Sequence, residues 1–216
     1  MLEFWSVNNI AFNILGYPIS YIEFLGTIFY LWSVWLISQR NILTWAVGIV
    51  SVLLYMVLFY QIRLYSDMVE QVYYLGISVY GWWRWSTSKL DSGEVLNLRY
   101  SPRREIILAA SVTIALTFVM GALMSQIHII LPAIFPEQAS FPYLDALTTV
   151  MSFTAMWLMT HKRIESWYYW IVVDILGIWL YDIKKVKFIA LLYVILLLMA
   201  INGLISWLKA VKVRHS

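Results

Sequence analysis

Residues 67–85 read DMVEQVYYLGISVYGWWRW. The stretch is long enough to cross a bilayer, which takes about 20 mostly apolar residues, and its two faces differ. Asp67, Gln71, Tyr74, Ser78, Trp82 and Trp85 recur at spacings of 4, 3, 4, 4 and 3, which is one stripe of an α-helix. Val72, Ile77 and Val79 fall on the other side. A spanning helix of this kind turns its polar-aromatic stripe toward other helices, because lipid offers those groups no partners.

The rest of the chain fits that reading. Of 216 residues, 62% are hydrophobic and only 12% are charged, about half the charge of a soluble domain. This excludes a soluble globular protein, and the hydrophobicity excludes disorder. No cysteine is present, so disulfides, thiolate metal sites and thiol nucleophiles are excluded. No basic segment precedes the first apolar run, as a signal peptide would require. Residues 2–15 are mildly apolar and read as an outer surface helix, within an N-terminal segment of 1–20. Spanning runs follow at 22–38, 42–60, 68–85, 104–125, 142–160, 166–182 and 188–208. The predicted fold class is therefore an all-α integral membrane protein of seven helices.

Shifting the chain by 122 residues aligns 21–85 with 143–207 without a gap, and fifteen of those 65 positions are identical. They include Tyr21/Tyr143, Trp35/Trp157, Trp45/Trp167, Gly81/Gly203 and Trp85/Trp207; Glu23/Asp145 and Arg40/Lys162 keep the sign of charge. Apolar composition does not by itself place tryptophans in register. Each half has three spans, an odd number, so a single intervening span keeps the halves parallel. The predicted plan is 3+1+3: repeat one at 21–85, a linker at 86–103, the fourth helix with its outer loop at 104–142, repeat two at 143–208 and a tail at 209–216. Transporters place substrate near the midplane between such repeats.

Basic residues set the orientation. One side holds Arg63, Lys184, Lys185 and Lys187; the other holds the remaining eleven of the fifteen Lys and Arg. The richer side stays in the cytoplasm, which places the N-terminus outside and the C-terminus inside. The linker is then cytoplasmic, and the loop from His128 to Pro142 is outside.

A second stripe runs along the sixth span: Trp167, Trp170, Asp174 and Tyr181. Asp174 lies near the centre of its span, where a carboxylate costs about 2.5–3.5 kcal/mol to insert and usually faces a working cavity. Its repeat partner is Val52, so the pseudo-symmetry breaks at one specialised site. A carboxylate ringed by aromatic faces suits a flat organic cation. Gln71 and Asn202 can add directional hydrogen bonds, or hold helices together. Trp5, Trp45, Trp85, Trp167 and Trp207 lie near span ends, where interfacial belts form without any substrate; Trp32, Trp35, Trp82 and Trp170 lie deeper and suit a substrate wall. Asp67, Glu70 and Asp182 read as solvated at the outer face, and Glu23 and Asp145 as helix-start acids. Three histidines in loops or the tail make no ligand cluster. The expected site is thus Trp32, Trp35, Gln71, Tyr74, Ser78, Trp82, Trp170, Asp174, Tyr181 and Asn202, with no metal, no cofactor and no nucleic-acid partner.

The third span, Asp67-x3-Gln71-x2-Tyr74-x5-Tyr80-Gly81-Trp82-x2-Trp85, resembles the N-x3-Q-x2-Y-x5-Y-G-W-x2-W signature of the PnuC family of vitamin transporters, departing only at Asp67. The family's W-x2-W matches Trp32/Trp35 and recurs at Trp167/Trp170. The resemblance implies a fold like the SWEET sugar transporters, a homotrimer, and a bacterial inner-membrane location. It also implies facilitated diffusion of a B-vitamin compound that a cytoplasmic kinase then traps. Both thiamine and nicotinamide riboside are cations that Asp174 would suit; an acid at that position resembles the thiamine-type branch, which makes thiamine the expected substrate and nicotinamide riboside the alternative. None of the five prolines lies in the interior of a predicted span, Pro142 standing at the first position of the fifth, so Gly48, Gly76, Gly81, Gly177 and Gly203 are the candidate flexible or close-packing points. No phosphate loop, G-x-S-x-G or H-E-x2-H is present, which argues against an enzyme. A non-transporting binding protein is disfavoured by the repeat.

Overall fold

Seven α-helices carry the chain in a computed structural model that describes residues 2–14, 16–92, 97–135 and 138–215. They are α1 (Tyr21–Ser38), α2 (Leu43–Gln61), α3 (Tyr65–Ser92), α4 (Arg103–Ile130), α5 (Pro142–Thr160), α6 (Glu165–Ile183) and α7 (Lys187–His215). Four of them, α1, α2, α4 and α7, are long and apolar enough to cross a membrane. Every expected span is a helix. α3, α4 and α7 run past the sequence boundaries, so part of the expected linker and most of the tail are helical; residues 93–96 of that linker and 136–137 of the outer loop lie outside the described residues.

The N-terminal segment corrects the sequence reading. The surface helix expected over 2–15 is not found in the described residues 2–14: a 3-10 turn at Leu2–Trp5 leads into an antiparallel hairpin, β1 (Ile10–Ile14) and β2 (Tyr17–Ser20). Gly16 takes φ +82° in the turn, a conformation glycine adopts at little cost, and Pro18 has no donor to continue a helix. The hairpin delivers Ser20 as the N-cap of α1, where its hydroxyl accepts from the Glu23 amide. Ser and Glu at this spacing form a capping box.

Four helices end alike. After α1, α2, α5 and α6, the residues Arg40, Arg63, Lys162 and Lys185 take φ of 59–60°. Each donates its amide three residues back, and the next residue donates five back, as in Asn41 N–H to Leu36 O at 2.9 Å and Leu64 N–H to Phe59 O at 2.9 Å. These are Schellman ends, which normally use glycine. Here a cation stands in that position, where it complements the negative helix terminus.

The helices close into a ring. α1 packs on α2 and α7, α3 on α2 and α5, and α6 on α5 and α7, while α4 lies outside against α5. Small polar groups hold the pairs together. Thr44 Oγ1 donates to Ser33 O at 2.8 Å, Ser51 Oγ to Gly26 O at 2.9 Å, and Thr113 and Thr154 share a 2.8 Å bond between α4 and α5. Glycines admit aromatic rings: a Cβ on Gly81 would overlap the Trp45 ring, and one on Gly203 the Trp167 ring.

At the end of the bundle where α1 and α5 finish, Trp45, Trp85, Trp167 and Trp207 form one buried cluster, each no more than 2% exposed. Trp45 meets Trp85 edge-on at 5.3 Å, Trp167 meets Trp207 at 5.5 Å, and Trp85 and Trp207 meet across the centre. Trp85 donates to Thr160 O at 3.2 Å and Trp207 to Ile37 O at 3.1 Å. These four are therefore a plug rather than the interfacial belt their sequence positions suggest. Only Trp5 of that group is exposed.

Candidate functional site

Inside the ring, polar side chains from different helices converge. Asp174 sits in the middle of α6 and is 3% exposed. Among the described residues no hydrogen bond or ion pair engages its carboxyl. Tyr30 of α1 and Tyr193 of α7 lie within electrostatic range of it. Tyr74 of α3 in turn neighbours Tyr30, Tyr193 and Ser152 of α5, and Tyr55 of α2 neighbours Tyr30. All six ring helices thus contribute, which puts the cluster on the ring axis. A lone buried carboxyl among phenols is costly for the empty protein and ready for a cation.

A path of acids leads to this cluster from the other end of the bundle. Asp67, Glu70 and Asp145 lie within range of one another near the starts of α3 and α5. Tyr181 faces those three carboxylates and stacks on Tyr193 at 5.5 Å. Glu70 is not simply solvated, as its position near the outer face suggests: it accepts a 2.9 Å bond from Thr149 of α5. Lys184 reaches Asp145 at 3.5 Å. On the neighbouring side, Tyr17 of the hairpin donates to Glu23 at 3.0 Å; burial and that carboxylate push the Tyr17 phenol up to about 12.

The ten expected residues separate into groups. Tyr74, Asp174 and Tyr181 belong to the converging cluster. Ser78 is buried, and Gln71 and Trp170 are half-buried on the same inward stripes. Trp32 and Trp35 are 46% and 51% exposed. Helical geometry turns them roughly 200° and 140° from Tyr30, onto an outer stripe with Tyr21 and Ile28. The structure does not bring them to Asp174. Trp82, 43% exposed, lies at the edge of its stripe. Asn202 is exposed on α7 and makes no bond with Asp174. Tyr30, Tyr55, Glu70 and Tyr193 join the candidate cluster and its approach without having been singled out as site residues from the sequence. The repeat carries a signal for one of them, because the 122-residue shift maps Gln71 onto Tyr193.

The chain matches the family model described as nicotinamide mononucleotide transporter over residues 20–209. It is 29% identical over 236 aligned positions to the nicotinamide riboside transporter PnuC of Escherichia coli, covering 100% of this chain and 98% of that one. It is 27% identical to the riboflavin/roseoflavin transporter RibM of Streptomyces davaonensis, covering 93% and 91%. It is also 27% identical to the PnuC of Neisseria mucosa, covering 83% and 68%. A crystal structure of the vitamin B3 transporter PnuC superposes with a TM-score of 0.68 at 26% identity, covering 89% of this chain and 82% of that one.

Proposed function

The chain belongs to the nicotinamide mononucleotide transporter family, and from that premise we propose that it carries nicotinamide riboside across the bacterial inner membrane. It is a vitamin transporter by family and not an enzyme. The observation that carries the substrate is the end-to-end similarity to a nicotinamide riboside transporter. This reverses the preference for thiamine, which rested on Asp174 alone. Asp174 serves either cation equally: the pyridinium of nicotinamide riboside brings the charge that the buried carboxyl lacks, and the phenols of Tyr30, Tyr74 and Tyr193 supply the walls. Riboflavin, carried by a relative, is neutral and would leave Asp174 unpaired.

In the proposed mechanism all seven helices span, in a 3+1+3 plan with the N-terminus outside, and two three-helix units rock about the Asp174 site. The ring order, in which α1 meets α7 as α5 meets α3, supports two like units. So do the Schellman cations, whose two pairs are each 122 residues apart. The acids Glu23, Asp67, Glu70 and Asp145 then stand at the outer mouth and attract the cation. Transport is downhill, with kinase trapping inside, in a trimer.

The test is binding to the purified protein followed by quenching of tryptophan fluorescence. Nicotinamide riboside should bind, thiamine more weakly and riboflavin least. Asp174→Asn should weaken nicotinamide riboside by about 3 kcal/mol, over a hundredfold, as loss of one partner of a buried pair does. Tighter binding of thiamine would transfer the site to that vitamin, and unchanged affinity in the variant would remove Asp174 from it.

A further inference from the structure

A groove of about 440 Å³ runs outside the ring between α3, α4 and α5. Tyr73, Leu108, Ala109, Val112, Phe153 and Trp157 line it with apolar surface. One end reaches the α5–α6 turn, where His161 and the Arg163–Glu105 pair stand, the latter at 2.6 Å. His161 also lines a second cavity, of about 160 Å³, together with Arg84, Arg99, Lys162 and Asn97. The apolar groove and the basic cavity are therefore adjoining.

The basic cavity is built rather than incidental. Among the described residues its lining includes no acidic side chain. Lys162 is 6% exposed, and among the described residues its ammonium has no ion pair. It is held there by its left-handed backbone and by the Arg99 amide, which donates to Lys162 O at 3.2 Å. Arg84 is steadied by the Tyr80 hydroxyl at 3.2 Å, and Tyr80 stacks on Trp157 of the groove wall at 5.8 Å. Burial, then Arg84 and Arg99, holds the Lys162 ammonium down to about 8. Among the described residues, the acids of this end are already matched: Glu105 by Arg163 at 2.6 Å, and Glu165 by the Ser101 amide and hydroxyl at 2.9 and 3.0 Å.

We propose that the groove and the basic cavity together bind one anionic phospholipid, with an acyl chain against α4 and the headgroup phosphate among Arg84, Arg99, His161 and Lys162. Basic pockets between spanning helices on the cytoplasmic side recognise anionic headgroups, and charge complementarity with an adjoining apolar channel selects lipid over free phosphate. The inference rests on the membrane reading of the chain and not on the substrate, so its test uses no transport readout.

The whole protein is reconstituted in nanodiscs of mixed phosphatidylglycerol and phosphatidylcholine with identical chains, released, and weighed by native mass spectrometry. One phosphatidylglycerol should stay bound in preference to phosphatidylcholine. Its retention should fall about fivefold for each basic side chain removed in Arg99→Gln and Lys162→Asn. It should also fall in Ala109→Trp, which blocks the groove but keeps the cavity. Equal retention of the two lipids by the unaltered protein would overturn the proposal without any variant. So would protection by inorganic phosphate alone with Ala109→Trp behaving as the parent, which would assign the cavity to a free anion.

Discussion

Asp174 concentrates the cost and the use of this fold in one side chain. A carboxyl 3% exposed, with no hydrogen bond or ion pair among the described residues, destabilises the bundle, since burial of a charge or an unpaired polar group is offset only by a counter-charge or hydrogen bonds. Asp174→Leu should therefore raise thermal stability by about 1–2 kcal/mol while binding of the cation is lost, and the gap between parent and variant should close when nicotinamide riboside is added. A melting curve that falls in the variant would mean that Asp174 holds the bundle together. Lys162 has its own pH signature. Its ammonium titrates near 8 when folded, against an ordinary 10.5, so between those values the unfolded chain binds more protons and stability rises with pH. Among the described residues, the charges that hold it down are those of Arg84 on α3 and Arg99 on the linker; His161 on its own turn lines the same cavity and is itself held down by burial. The difference in stability between the parent and Lys162→Gly, measured by denaturation from pH 7.5 to 10, should shift in favour of the parent as pH rises. At this scale the sequence was half legible. A polar stripe with a mid-span acid points inward by necessity, which exposed Tyr74 and Asp174. Tyr30 stayed hidden because one tyrosine in an apolar helix carries no period, and the same helix shows two tryptophans that look deeper but face out.

The helix ends carry a second lesson. Arg40, Arg63, Lys162 and Lys185 occupy positions where the backbone favours glycine, at a cost for an L-residue of roughly 1–2 kcal/mol. The charge offsets part of that through the helix dipole. Arg63 lies outside the basic cavity and the Asp174 cluster, so it isolates the backbone effect. Arg63→Gly should stabilise the protein by about 0.5–1 kcal/mol, while Arg63→Val, whose branched side chain tolerates positive φ poorly, should destabilise it by a similar amount or more. Equal unfolding curves for the two variants would show that the turn relaxes out of its left-handed form. Helix limits were readable because apolar runs of bilayer length leave little choice. The Schellman ends were not, since their usual glycine is missing. The surface helix expected over 2–15 gave way to β1 for a related reason: the apolar content of that stretch says helix, while Gly16 and Pro18 just beyond it turn the chain back on itself as a hairpin.

Four tryptophans join residues 21–85 to 143–207, the two halves of the proposed repeat, and this sets an expectation for the whole molecule. The proposed repeat rests on tryptophan and glycine recurring in register in the sequence. Their purpose was not legible there, because a tryptophan at a span end reads as a belt until its neighbours are known. Trp85 of the first half donates to the end of α5 in the second, and Trp207 of the second donates to the end of α1 in the first. In the proposed rocking mechanism both bonds belong to the form in which that end of the bundle is shut. Opening it breaks the two bonds and parts Trp85 from Trp207, so each bond adds about 0.5–1.5 kcal/mol to the closed form. Trp85→Phe and Trp207→Phe keep the aromatic packing and remove the donor. The chain has no cysteine, so a single Ser78→Cys is a clean reporter of access to the interior. In inverted vesicles, an impermeant thiol reagent should reach Cys at 78 slowly in the parent and about tenfold faster when both tryptophans are phenylalanine. Each single change should give an intermediate and similar rate, because the two are repeat partners. Acceleration by only one of them would show that the halves do not share the work of closing. No acceleration by either would mean that ring packing alone shuts this end, and that the indole donors serve only to satisfy the last carbonyls of α1 and α5.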